Sequence, residues 1–330
     1  MKPLTPIHQS STDLTPTALR RFTKLVAALT LFLIFAGAMV TSHDAGLSVP
    51  DWPTTYGSNM FAFPLSKWVG NIFYEHGHRL LASTVGFLVV LQAIWLQLRE
   101  PKRFVRRLGW CSLAAVLVQG LLGGLTVIFL LPKAISISHA ALAEIFFSIN
   151  VSIAFFTSRW FATLRTLERG DAPVRMASGL TALIYAQILA GAVMRHLHAG
   201  LAIPDFPRSF GRWIPELTSK EIVSAFVHRA GGFTVAVAVI AIAIRLLRYE
   251  RDHPLRFLGQ LLAVIVVAQV TLGAYVIWSG KQPVITSIHV MMGALTFATS
   301  LVLTLSARAV AWRKASSRRA GAFVASEVAA

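Results

Sequence analysis

Four histidines stand out by their spacing. His78 and His139 are 61 residues apart, and so are His228 and His289. The second pair repeats the first at an offset of 150, and Arg229 follows Arg79 and Gln269 follows Gln119 at the same offset. A neutral imidazole is a good iron ligand, and two facing ones leave a slot for a flat metallo-macrocycle. A single histidine in an apolar segment usually does no more than hydrogen-bond a neighbouring helix. Two equally spaced pairs point beyond that role, to one paired-histidine site in each half of the chain. Zinc fits less well, because no carboxylate or thiol of the second half completes a tetrahedral set.

The repeat also has breaks. Glu75 stands three residues before His78, and its counterpart is Ala225. Three residues turn a helix by about 300°, so carboxylate and ligand share a face if that helix begins early. The blander role is a carboxylate in a first turn, favoured by the helix dipole. Glu144, matched by Ala294, lies five residues past His139 and so points away from that ligand's face. An ionisable group inside a span is a functional residue by default, here toward another helix or an access path. The asymmetry predicts a catalytic first half (Glu75, His78 and His139). The second half would be an electron-transfer or structural copy. Arg79 and Arg229 directly follow a ligand and could meet macrocycle carboxylates as bidentate ion pairs. Gly120, Gly123, Gly124 and Gly273 would let a ring approach the backbone, or equally serve helix packing. Gln119 and Gln269 occur in both halves and fit packing or edge hydrogen bonds rather than turnover.

These residues must be placed by helices. The chain has 330 residues, 55% hydrophobic and 14% charged, too apolar for a soluble protein of this length. Eight apolar stretches approach or exceed the spanning length of about 20 residues. They lie near 23–42, 78–98, 108–131, 137–157, 175–194, 224–246, 256–279 and 285–307. They lack barrel-type alternation, and open sheets cannot span lipid, so all are helices. Four spans per half give a parallel repeat. The expected fold is an all-α membrane protein of two four-helix bundles. Residues 1–22 form a cytoplasmic tail, 23–157 the first bundle, 158–174 a cytoplasmic linker, 175–307 the second bundle and 308–330 a basic cytoplasmic tail.

The formal charge of +17 is a topology signal rather than a nucleic-acid one, since 22 of the 31 basic residues fall in the tails and the loops after spans 2, 4 and 6. By the positive-inside rule those segments are cytoplasmic. The ligands then sit near the outer face of an inner (cytoplasmic) membrane, beneath two long outer loops. Those loops are similar: from Gly37 and from Gly191, 9 of 21 positions are identical. Pro50-Asp51-Trp52-Pro53 and Pro204-Asp205-Phe206-Pro207 disfavour helix, so ordered covers are expected, with short interfacial helices as the variant. Cys111 reads as a buried small hydrophobe. His8 and His253 carry no signal. His43, His76, His196 and His198 read as solvated loop residues, with His76 and His198 near a possible entrance. The first span is long and lacks a small-residue cleavage pattern, so it reads as a retained helix.

The chain resembles the heme A synthase family over nearly its whole length. The carrying residues are Ala45-Gly46-Leu47-Ser48-Val49-Pro50-Asp51-Trp52-Pro53, the Glu75-x-x-His78-Arg79 element and the second-half histidines. The resemblance implies a membrane enzyme that oxidises the C8 methyl of heme O to the formyl of heme A for terminal oxidases. Two successive hydroxylations would give a gem-diol that loses water. It implies substrate heme O between His78 and His139 with Glu75 as the essential carboxylate, and a heme b cofactor on His228 and His289. Glu75 would relay protons or stabilise a cationic intermediate. Implied partners are a heme O synthase as supplier, an electron donor and membrane lipid, with homo-oligomers allowed. Some members carry an outer-loop cysteine pair; here the corresponding positions are Val49 and Thr55, with Ile203 and Ser209 in the second half, so that chemistry is excluded. Two other readings stay open: a di-heme b-type cytochrome that only passes electrons, and a heme-carrying oxidase assembly factor. A transporter fits worst, since its polar residues should cluster at the midplane.

Overall fold

The computed structural model describes residues 15–164 and 173–328. Among the described residues, eight helices are long and apolar enough to cross a membrane. They are α1 (Thr17–Ser42), α2 (Asn71–Arg99), α3 (Arg103–Ile128), α4 (Lys133–Thr157), α6 (Val174–His196), α7 (Lys220–Leu246), α8 (Pro254–Trp278) and α9 (Pro283–Val328). A short α5 (Arg159–Leu164) follows α4. Most helices outrun their apolar stretches, because hydropathy marks only the length that fits hydrocarbon. Thus α2 begins at Asn71, a turn and more before the apolar run, and Glu75 lies within it. Local chemistry sets the starts. The Ser219 hydroxyl accepts from the Ile222 amide at the head of α7, and Pro254 opens α8 where its missing N–H costs nothing.

Each half closes into a ring of four. In the first, α1 and α3 each pack against α2 and α4; in the second, α6 and α8 each pack against α7 and α9. The rings meet where α1 lies on α9 and α4 lies on α6 and α9. Phe147, Ala294 and Ala298 fill that seam. Val26, Val85, Val89 and Phe146 fill the first ring, and Leu180, Val239, Leu262 and Leu303 the second. Asn150 is bonded by Gln92 at 2.9 Å and Ser112 at 3.1 Å, tying α2, α3 and α4 where no water is at hand. Outward faces are apolar, as lipid requires: Phe87, Leu117 and Phe233 stand more than half exposed. Cys111 is also exposed, on α3, and so is not the buried residue expected from sequence.

Both long loops carry one device. Residues 55–58 and 209–212 form tight turns closed by an antiparallel bridge. Their central residues, Tyr56-Gly57 and Phe210-Gly211, all have positive φ, as a type I′ turn requires. Glycine meets that demand at the second position, and an aspartate supports the pair. Asp51 accepts the Tyr56 and Gly57 amides at 2.8 and 2.9 Å; Asp205 accepts those of Phe210 and Gly211 at 2.7 and 2.9 Å. The expected short helices are single 3-10 turns, at Met60–Ala62, Leu65–Lys67 and Ala199–Leu201. At the opposite end the linker begins as α5, with Phe161 and Leu164 packed on Ala309 and Val310. Lys2 and His8, and linker residues Arg165, Glu168, Arg169 and Asp171, lie outside the described residues.

Burial alone would raise the Asp51 carboxyl, but hydrogen bonds from Thr54, Gly57 and Tyr56 outweigh it and hold it below the usual range. Asp205 is pulled below by the Gly211 and Phe210 amides. A depressed carboxyl stabilises the fold above its unfolded value, near 3.9, and that contribution is lost as pH falls through the lowered native value. Proteolytic protection of both loops is therefore expected to be constant from neutral pH to about pH 5 and to fall below about pH 4. Asp205→Asn should flatten that acid transition for residues 203–212 while leaving it in the first loop.

Candidate functional site

His78 and His139 lie one and a half to two turns inside the heads of α2 and α4, and His228 and His289 do the same in α7 and α9. At 1.5 Å per residue all four are about 9–12 Å along their helices, at one depth beneath the long loops. The partners of each pair stand on diagonal helices of their ring. His228 and His289 have ring centres 6.5 Å apart. His78 and His139 are within electrostatic reach of each other.

Every one of these imidazoles presses its Cε1 edge against a glycine of the next helix. A Cβ on Gly37, Gly123, Gly191 or Gly273 would stand 3.1, 3.2, 2.8 or 3.1 Å from that carbon of His78, His139, His228 and His289. Two of the glycines singled out from sequence, Gly123 and Gly273, thus make room for ligands. Gly124 makes room for the ring of Trp52, the aromatic of the Pro-Asp-Trp-Pro element, and Gly120 faces open space. Gln119 bonds the His139 carbonyl at 3.0 Å and lies 3.3 Å from its Nε2.

Gln187 was not anticipated. Its amide bonds the His228 carbonyl at 2.7 Å and lies 3.0 Å from His228 Nδ1, fixing the ring and leaving Nε2 free. A polar residue at mid-span, with Leu33 at the matching place of the first half, was the available signal.

The donor set fits a group bound between each pair. Nδ1 of His78, His139 and His289 is buried without a partner, which is costly unless something else satisfies it. A metal held at about 2 Å from each of two imidazoles would place their ring centres roughly 6 Å apart, close to the second-half separation. Among the described residues no three His, Cys, Asp or Glu side chains cluster as a metal cage. Two ligands per site therefore suit a metal that brings its own equatorial ligands, as iron in a porphyrin does.

Glu75 and Arg79 share a face of α2 and grip the first loop. Glu75 Oε2 accepts the Val49 amide at 2.7 Å, and Oε1 accepts from Arg79 at 2.6 Å. Arg79 also donates to the carbonyls of Asp51, Thr54 and Val49 at 2.6, 3.2 and 2.8 Å. Arg229 does likewise toward Asp205, Arg208 and Ile203, at 2.6, 3.1 and 2.6 Å, with the Asp205 carboxylate in electrostatic reach but, among the described residues, no counterpart of the direct Glu75 ion pair. Both guanidiniums thus hold loop carbonyls at the heads of the histidine-bearing helices. Glu75 is only 4% exposed; its bond from the Val49 amide fastens the loop over the His78 end of the bundle, and its bond from Arg79 holds the guanidinium that grips the same loop.

His76 is fully buried, which corrects the solvated role expected of it. Its Nδ1 lies 3.2 Å from the Thr55 hydroxyl, and its ring packs on Phe63 and Trp68. The loop folds down over it, which hydropathy of the segment could not reveal. His43 stacks on Tyr74, His198 is exposed, and His253 caps α8. Glu144 is buried at the seam between the rings, away from His139 along α4.

The chain is similar to known proteins over most of its length. The family described as cytochrome oxidase assembly protein (COX15-CtaA) matches residues 20–301. The chain is similar to the heme A synthase of Halalkalibacterium halodurans, 26% identical over 292 residues, covering 86% of this chain and 94% of that one. It is similar to the heme A synthase of Sphingopyxis alaskensis, 25% identical over 327 residues with 86% and 90% covered. To that of Symbiobacterium thermophilum it is 27% identical over 270 residues, with 78% and 85% covered. A family match across both rings, including all four histidines, means that this chain belongs to the COX15-CtaA family of cytochrome oxidase assembly proteins.

Proposed function

We propose that the chain is a heme A synthase, a membrane oxidoreductase that converts the C8 methyl of heme O to the formyl group of heme A. The observation that carries this reading is the inequality of two otherwise matching sites. Both have a buried histidine pair set against glycines, but only the first has a buried carboxylate, Glu75, one turn before its ligand; the second has Ala225 there, and the acid in the first turn of α7, Glu221, is two turns away and partly exposed. His78 and His139 hold the substrate heme O, and His228 and His289 hold a heme b. Bound there, heme b supplies one-electron redox chemistry to the second ring. The similarity to heme A synthases across most of their length supports the same assignment.

The residues of this chain do the positioning. Gly37 and Gly123 seat His78 and His139, and Gln187 with Gly191 fixes His228. Arg79 and Arg229 clamp the loops over the heads of α2 and α7, which limits water around the ligands. Glu75 is the proton acceptor for methyl oxidation, held by Arg79 and the Val49 amide so that it stays next to the His78 end. With basic loops cytoplasmic, both termini face the cytoplasm and the sites lie near the outer face of the inner membrane. At that depth an insoluble substrate is taken directly from a heme O synthase through the lipid. The four-electron oxidation draws its oxygen and oxidant from outside the chain: dioxygen with an electron donor for each hydroxylation, or water with an acceptor for the electrons removed.

Membranes containing this chain and a heme O synthase should yield heme A on extraction and chromatography. Glu75→Gln should accumulate heme O or a hydroxylated product, with formation slowed on the order of a hundredfold or more. Heme b without heme A in both, despite heme O supply, would sink the enzyme reading in favour of an electron carrier. Gly191→Ala places a methyl 2.8 Å from His228 Cε1, in a helix that alanine itself favours by about 1 kcal/mol. The variant should lose heme b from the second ring while the first ring keeps its heme, read from pigment content per protein.

A further inference from the structure

Glu144 belongs to neither histidine pair, yet it is 4% exposed and its Oε2 has no hydrogen-bond partner. It lies five residues past His139, about 7.5 Å further along α4 from the loop end. There α4 packs on α6 and α9. Tyr185 of α6 is the ionisable side chain within its electrostatic reach. The Tyr185 hydroxyl donates to the Ala141 carbonyl, one turn before Glu144, at 3.3 Å.

Other elements on α4 bring no charge to this depth. α1 has no charged residue or histidine between Lys24 and His43, α9 none between His289 and Arg308, and α3 none between Arg107 and its end at Ile128. The one cysteine of α3, Cys111, is exposed. Arg159 of α5 is fifteen residues beyond Glu144, at the far end of α4.

From Tyr185 a stripe of hydroxyls leads away from the loops. Thr181 Oγ1 is 2.8 Å from Ser300 Oγ and 2.9 Å from Thr304 Oγ1. Further along, Arg308 donates to Ser178 Oγ at 3.2 Å. Ser178, Thr181 and Tyr185 share one face of α6, and Ser300, Thr304 and Arg308 one face of α9. A groove of about 380 Å³ follows the stripe, with Ser178, Thr181, Tyr185, Thr304 and Arg308 along it and apolar side chains, Ile145 and Phe297 among them, making up the other half of its lining. It is roomy enough for several waters, at about 30 Å³ each, and it offers them hydroxyl partners.

We propose that Glu144 is a protonation site that exchanges protons with the Arg308 end of the bundle through this hydroxyl-lined groove. Its proton balances the charge of electrons entering the paired-histidine sites. The proposal rests on the reading that those sites hold hemes. When one electron from a one-electron donor reduces a bound iron, one proton from water at the basic end adds to the Glu144 carboxylate. Oxidation returns both.

The test is a mediated redox titration of the purified, heme-loaded protein between about pH 6 and 9, for wild type and Glu144→Gln at equal heme content. The wild-type midpoint should fall as pH rises through the alkaline part of that range, where a buried carboxyl without a partner first ionises in the oxidised protein, approaching about 59 mV per unit for one proton per electron. Glu144→Gln should lie flat. A wild-type midpoint independent of pH overturns the proposal. So does a slope that survives in Glu144→Gln, which would give the proton to another group such as a porphyrin carboxyl. Absence of heme from the wild type would sink the heme-site reading itself. Thr181→Val keeps Glu144 and interrupts the stripe. It should retain the slope but take up protons at least tenfold more slowly on rapid reduction, followed with a pH dye. Uptake as fast as wild type removes the groove as the path.

Discussion

The arrangement depends on one recurring interaction, an arginine one residue after a ligand histidine that donates to three carbonyls of the loop above it. Arg79 and Arg229 each sit on the helix turn that carries the ligand, so the loop cannot shift without disturbing the imidazole. Charged donors to carbonyls are among the stronger hydrogen bonds, and at the head of a membrane helix they compete with little water. The aspartates then stiffen the loops internally, and Trp52 wedges against Gly124. Cover, ligand and bundle are therefore one mechanical unit in each half.

On this shared scaffold the differences are few and local. Glu75 faces Ala225 across the repeat, Glu144 faces Ala294, and Gln187 stands where the first half has Leu33. Each adds a polar group where the other half is apolar, and each is buried or bonded at a ligand or at the seam. These three positions give the two histidine pairs different electrostatic surroundings.

Much of this was legible in the residues. Length and apolarity marked the eight spans, because lipid imposes a helix on any chain that crosses it. Equal spacing marked the histidine pairs, since a repeat preserves depth. What could not be read was set by contacts distant in sequence. His76 looked like a loop residue until Phe63 and Trp68 were seen packed against it. The loop carbonyls held by the arginines were likewise beyond the reach of the sequence, since they come from segments 21 to 30 residues away. Cys111 looked like core because its segment is apolar, but periodicity in an all-apolar helix does not say which side meets lipid. Glycine at 37 and 191 was invisible as a ligand seat, because only tertiary packing pairs a glycine with an imidazole.

The diagonal placement of the ligands has a consequence for biosynthesis. α2 and α4 are not adjacent in their ring, nor are α7 and α9, so each pair exists only once the last helix of its half is in place. The first pair can form as soon as α4 has entered the membrane, while the chain beyond it is still being made. The second waits for α9, which also packs along α1 and so joins the newest part of the polypeptide to the oldest. The order of synthesis thus lets the acid-bearing cradle assemble first, and the closing helix completes the second site and the seam between the halves in one event.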